Sequence, residues 1–338
     1  MTRPDVTVLG AGIFGLSVAW SMAARGARVR VIDPAGVGAG ASGGLVGALA
    51  PHVPEAWNDK KAFQLESLLM AADWWARVTA AGGGDPGYAR LGRLQPLADA
   101  RAVDAARARA AEAAVLWQGR ATWQVVAAAG AAWEPASATG LLIRDDLSAR
   151  VHPRRALAAL VAAILAVGGE VVTAGDVAGA VVHATGVAGL ANLGPKPGGG
   201  VKGQALTLRF VAKGMPQLFV DGLHIVPHAD GTVAVGSTSE NQWDDPVSTD
   251  AQLDALHARA VTALPVLAGA PVADRWAALR PRTPSRAPVL GAWPGRAGHF
   301  VANGGFKIGF GMAPLVGEVM ADLVLGGADR IPAGFRLG

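Results

Sequence analysis

The stretch from Asp5 to Asp33, DVTVLGAGIFGLSVAWSMAARGARVRVID, constrains the fold more than any other part of the chain. It reads as strand, glycine turn, helix, glycine stop and strand. Gly10, Gly12 and Gly15 fill a GxGxxG pattern. The first makes the tight turn, the second lets a pyrophosphate approach the backbone, and the third lets the helix close on the strand. The helix that begins with Ile13 and Phe14 then points its N-terminus at the phosphate charge. Asp33 ends the second strand at the distance where an acid accepts hydrogen bonds from an adenosine ribose. Val6 to Ala24 is uncharged and follows Arg3, as a signal peptide would be, but the glycine break and the strand directly after it fit a folded βαβ unit better. Both NAD and FAD satisfy this unit. A second glycine-rich segment directly after Asp33, GVGAGASGGLVGALAPHV, suggests a ligand that extends past its pyrophosphate.

With 338 residues, 51% of them apolar, the chain can bury a large core and build two domains or a composite of two. The absence of cysteine excludes disulfides, thiolate metal sites, thiol nucleophiles and cysteinyl-linked cofactors, and fits a cytoplasmic protein. The net charge of +4 is spread along the chain and the six lysines are scattered, so nucleic acid is not indicated as a partner. The run ALAALVAAILAV from Ala156 is about half as long as a bilayer crossing requires and reads as a buried helix, so no membrane span is expected. Neither His52 nor His183 has a second ligand at metal-binding spacing, and no metal site is expected.

Near the C-terminus, NGGFKIGFGMAP places Gly304, Gly305, Gly309 and Gly311 in an apolar run. In an ordinary helix or strand these glycines would together cost about 2–4 kcal/mol relative to alanine. Either a tight turn or a backbone approach to a flat ligand, with Lys307 at its edge, accounts for them.

The motifs occur in a recognisable order: Gly10–Gly15 with Asp33, GASGG at Gly40, VHP at Val151, ATG at Ala184, KGQ at Lys202, HIVPHADGTVAVGSTSE at His224, LRPRTP at Leu279 and GGFKIGFGMAP at Gly304. In this order the chain resembles the D-amino-acid oxidase family, in its glycine oxidase and sarcosine oxidase branch. The resemblance covers nearly the whole chain. It implies an α/β fold, with a Rossmann-like FAD-binding domain (1–75, 140–196 and 275–338) interleaved with a smaller α+β substrate domain on an antiparallel sheet (76–139 and 197–274). It also implies FAD held by Gly10, Gly12, Ile13, Phe14, Gly15 and Asp33, by Ala41, Ser42, Gly43 and Gly44, and by Ala184, Thr185 and Gly186; with no cysteine for attachment the FAD is expected to be non-covalent, a link through His52 being the alternative. Val171 and Val172 would flank the adenine, and Gly304, Gly305, Phe306, Lys307, Ile308 and Gly309 would run along the pyrimidine and ribityl side of the flavin. Gly168 to Gly186 is short for the strand, meander and strand of that family.

The resemblance further implies oxidation of the C–N bond of a small amino or imino acid by hydride transfer to flavin, followed by hydrolysis of the imine. Oxygen or another acceptor takes the electrons. A planar guanidinium suits a substrate carboxylate, and Arg280 matches the family's carboxylate-binding arginine; Arg282 is the second candidate, and an ion pair with Asp274 is the purely structural alternative. His224 stands where glycine oxidases carry a tyrosine, Ser239 where an apolar residue is expected, and Lys307 where that branch has an arginine, placing a positive charge beside the flavin. A homo-oligomer is compatible with the sequence. The rival readings are a tRNA aminomethyl-uridine-modifying FAD oxidoreductase, a NAD-dependent dehydrogenase and a non-catalytic FAD-binding subunit.

Overall fold

The computed structural model describes residues 3–82, 84–193 and 198–337. The expected domain border at 196/197 falls outside them. Two sheets organise the chain. The first has six strands: β1 (Val6–Leu9), β2 (Val29–Ile32), β8 (Glu170–Val172), β9 (Ala180–His183), β15 (Val289–Ala292) and β16 (His299–Asn303), ordered β15-β16-β9-β1-β2-β8. All pairs are parallel except β15–β16. Because chain order reverses on the two sides of β1, the glycine turn after β1 lies at a topological switch point, where α/β sheets bind their ligands. The second sheet has eight strands: β4 (Arg93–Pro96), β5 (Trp123–Ala127), β6 (Leu141–Asp145), β10 (Gly199–Arg209), β11 (Gln217–Val220), β12 (Leu223–Pro227), β13 (Thr232–Gly236) and β14 (Val272–Arg282), ordered β14-β10-β13-β12-β11-β4-β6-β5. It is antiparallel apart from β4–β11. A short pair, β3 (Ala48–Leu49) with β7 (Ala149–Arg150), joins the two layers.

Four helices stack on one face of the parallel sheet: α1 (Ile13–Ala23), α2 (Asp59–Gly82), α4 (Pro153–Ala166) and α7 (Gly309–Gly326). α3 (Ala100–Leu116) packs on β5, α5 (Gly186–Leu190) follows β9, and α6 (Ala251–Ala263) covers β10 and β13. The alternation of strands explains the layering: Val6, Val8, Val29, Val31 and Val182 join the helix-side core, whereas Leu206, Leu208, Val233 and Val235 join a second core under α6. The run from Ala156 is the buried stripe of α4, with Pro153 in its first turn. α7 is long and apolar enough to cross a membrane by composition, but it supplies Met312, Ala313, Val316 and Met320 to the core between α1 and α2. β8 runs into β9 through residues 173–179 without an intervening strand, so the abbreviated meander expected there is absent. β6 and β14 both pair within the larger sheet; β6 begins just after the border expected at 140, and β14 runs across the one expected at 275.

Candidate active site

Three chain segments converge at the end of β1. Gly10 has φ +106°, and a Cβ there would lie 2.4 Å from Ala184 O; a Cβ on Gly15 would lie 2.0 Å from Gly10 O. Only bare backbone permits the β1 turn, α1 and the Ala184–Gly186 segment to meet this closely. Ser42 Oγ accepts the Ile13 N–H at 2.9 Å, which fixes the 41–44 turn against the first turn of α1, where Gly12 supplies no side-chain cap. The other amides of that first turn, beyond Ile13 N–H, are left to a ligand. Asp33 accepts from Ala11 N–H (2.8 Å, Oδ2) and Ala35 N–H (3.0 Å, Oδ1), which aims the carboxylate while leaving lone pairs on both oxygens for a ribose.

The late glycine segment closes on the same place. Asn303 Nδ2 donates to Gly186 O at 2.9 Å, and Phe306 N–H donates to Pro281 O at 3.1 Å. A Cβ on Gly305 would lie 3.0 Å from the Phe14 ring, and Ile308 caps α7 without a side-chain bond. Residues 184–186, 13–14 and 304–309 therefore form one cradle with the open N-termini of α1 and α7. Asp33 N–H donates to Val172 O at 3.1 Å, which brings the end of β8 to the same edge. Val171 and Val172 point to opposite faces, since Val171 packs on the helix-side core while Val172 lines a separate cleft of about 650 Å³ with Arg30, Glu170 and Asp176.

The residues expected at the substrate, Arg280 and His224, share one face of the larger sheet. β10 pairs Val201 with Arg280, Gly203 with Ala278 and Ala205 with Trp276; β13 pairs Gly236 with both Ala205 and His224. Arg280, Trp276 and His224 consequently face the 41–48 loop, whose Leu45, Val46 and Ala48 pack with Ala205, Val226, Ala234 and Trp276. Arg280 is 7% exposed, donates from Nη1 to Thr238 O at 3.1 Å, and has no carboxylate within 4.0 Å among the described residues. Burial pushes it down to about 10, with Glu240 opposing, so it stays cationic at neutral pH. Asp274 pairs instead with Arg154 at 2.6 Å, which removes the structural alternative for Arg280. Arg282 donates to Asn241 Oδ1 at 3.1 Å.

The His224 ring lies 4.7 Å from that of Phe219 at a tilt of 46°, and its Nδ1 is buried without a hydrogen-bond partner among the described residues. Burial, with Arg93 and Lys307 nearby, lowers it to about 3, so it is a neutral imidazole able to donate one hydrogen bond. Lys307 is exposed overall, but partial desolvation of its ammonium and the charges of Arg280, Arg286 and Arg282 push its pKa down. The sequence reading missed the role of Gly203. A Cβ there would lie 1.7 Å from Arg280 Nη2, so the guanidinium lies flat over this glycine. The signal was the glycine of KGQ, an otherwise costly residue inside a strand.

A family model described as FAD dependent oxidoreductase matches residues 5–323. The chain belongs to this family. FAD is accordingly its cofactor, and the cradle fits it: free helix-terminal amides for the pyrophosphate, Asp33 for the ribose and bare backbone at Gly304, Gly305 and Gly309. Among FAD-dependent relatives, the bifunctional protein ThiO/ThiG of Nostoc sp. is 27% identical over 365 residues, covering 96% of this chain and 53% of that protein. The chain thus spans about half the length of the bifunctional relatives it matches. Glycine oxidase of Geobacillus kaustophilus is 25% identical over 373 residues, covering 95% of this chain and 93% of that one. The crystal structure of glycine oxidase from the same organism superposes with a TM-score of 0.88, covering 100% of this chain and 99% of that chain at 23% identity, which shows the fold.

Proposed function

We propose that this FAD enzyme oxidises the C–N bond of a small amino or imino acid whose carboxylate is held by Arg280. The observation that carries this reading is the state of Arg280: a buried guanidinium with a single modest hydrogen bond, four further N–H donors and, among the described residues, no carboxylate in direct contact, on the sheet face that looks toward the cofactor cradle. A buried cation of this kind is stabilised by an anionic ligand, and its planar fork matches a carboxylate in bidentate fashion. Bound FAD supplies the two-electron acceptor, which oxygen or another oxidant regenerates. Arg280 fixes one end of the substrate, and neutral His224 offers a hydrogen bond to a second polar atom. Because the neutral amine's lone pair assists C–H cleavage, no strong base is required of the chain. The substrate loses two electrons and two protons, and water then converts the imine into an oxo acid and ammonia or an amine. The names of the relatives, glycine oxidase and ThiO, agree with a small amino acid, and a chain without cysteine agrees with a cytoplasmic setting. Anaerobic bleaching of the yellow enzyme by a panel of glycine, sarcosine, D-amino acids and D-proline tests the reading. Reduction by at least one of them is expected, and reduction by none would refute it.

A further inference from the structure

Directly behind Arg280, on the opposite face of the larger sheet, lies a buried polar network that belongs to neither cofactor nor substrate. Lys202 and Gln204 flank Gly203 on β10, so their side chains point away from the face that carries Arg280. Lys202 is 2% exposed and Gln204 is fully buried. Thr238 and Glu240 extend the sheet alongside them: Lys202 N–H donates to Glu240 O at 3.0 Å and Glu240 N–H to Lys202 O at 2.9 Å. The Glu240 carboxylate accepts from Thr238 Oγ1, from Gln204 Nε2 at 3.1 Å and from Gln252 Nε2 at 3.2 Å. Gln204 Nε2 also donates to Asp250 Oδ1 at 2.8 Å, and Lys202 Nζ lies 3.4 Å from Asp250 and 3.8 Å from Glu240. One cation against two carboxylates leaves one net negative charge. The carbonyl of Thr238, whose hydroxyl is bound to Glu240, receives the hydrogen bond from Arg280.

We propose that Glu240 is a built-in counter-charge for Arg280, which holds the guanidinium in position through Thr238 and moderates its grip on a bound carboxylate, and that Lys202 sets how much of that counter-charge Arg280 feels. The inference rests on the reading of Arg280 as the carboxylate anchor. Its physical basis is that charges buried in one sheet are weakly screened, so a negative group behind the anchor opposes an incoming anion. A moderated grip suits an enzyme that must release an oxo acid as readily as it takes an amino acid.

Acetate, which presents a carboxylate without an amine, probes this charge balance when titrated calorimetrically into the FAD-loaded enzyme. Glu240→Gln keeps the acceptor and the shape but removes the charge, and should tighten acetate about three- to tenfold; Lys202→Gln should weaken it by a similar factor. Asp250→Asn, closer to solvent, should tighten it less. A merely structural network would weaken binding in all three. If Lys202→Gln fails to fold, the tightening in Glu240→Gln and Asp250→Asn still decides the matter. Arg280→Gln separates the two claims. If acetate binding survives it, the anchor reading fails; if binding is lost but Glu240→Gln weakens or leaves acetate affinity unchanged, the counter-charge is refuted and the anchor stands.

Discussion

Adding one methyl group at Gly203 should damage substrate binding while leaving the fold as stable as before. The Cβ of Gly203→Ala would lie 1.7 Å from Nη2 and 1.9 Å from Cζ of Arg280. The obstructing atoms are the far end of a flexible side chain, so the guanidinium swings away and the β10–β14 ladder persists. Gly203 sits inside a strand with ordinary negative φ, where alanine gains about 0.5–1 kcal/mol over glycine. The displaced guanidinium loses its bond to Thr238 O and the alignment needed for a two-point contact with a carboxylate. Losing one hydrogen bond to a charged group costs about 1.5–3 kcal/mol, or roughly 10- to 100-fold in kcat/KM. Steady-state kinetics on the best carboxylate substrate, alongside a thermal melt and a measurement of bound FAD, read all three quantities. Unchanged kcat/KM would refute the stacked placement of Arg280, and a large loss of stability would show that the backbone, not the side chain, yields.

Arg280→Lys keeps the charge but loses the fork, and should lower kcat/KM by about 2–4 kcal/mol without loss of FAD. Lys307→Met removes a cation near the expected flavin edge and should lower the flavin potential by tens of millivolts, since about 30 mV corresponds to 1.4 kcal/mol for two electrons; potentiometry and sulfite binding, which should weaken in parallel, check it. Burial holds His228 at about 4, and burial with Arg93 and Lys307 holds His224 at about 3, so below pH 6.5 the unfolded chain binds more protons than the folded one. Stability is therefore fully present above pH 6.5 and falls as pH drops toward these folded values, by up to about 1.4 kcal/mol per pH unit for each group. Urea midpoints at pH 7 and pH 5 should differ less in His228→Gln than in the wild type. Acid precipitation should release free FAD into the supernatant, and yellow colour retained in the pellet would contradict non-covalent binding.

The cofactor cradle was legible in the sequence because its chemistry is local. Gly10, Gly12, Gly15 and Asp33 lie within one βαβ unit, and each departs from what a plain helix or strand favours. The return of Gly304–Gly309 to that cradle depends on long-range pairings, through Asn303 with Gly186 and Phe306 with Pro281, and only the order of motifs along the chain pointed to it. Strand alternation would have placed Arg280 and His224 on one face had the register of β10, β12, β13 and β14 been known, but register is set by tertiary pairing. The same holds for Lys202, Gln204, Glu240 and Asp250, which come together across up to 48 residues of chain. Asp274 shows the converse: proximity in sequence suggested a partner for Arg280, but its side chain reaches Arg154 on α4.

Oxidation of a carboxylate-bearing amine at FAD, with Arg280 as its anchor, can be followed by anaerobic stopped-flow reduction of the flavin. The best carboxylate substrate of the amino-acid panel is compared with the amine that lacks its carboxylate, in the wild type and in Arg280→Gln. Fast reduction is expected with the carboxylate substrate in the wild type alone, and slow reduction with the carboxylate-free amine, which the substitution leaves unchanged. Equal rates for the two amines, or a substrate rate indifferent to Arg280→Gln, would rule out Arg280 as the anchor.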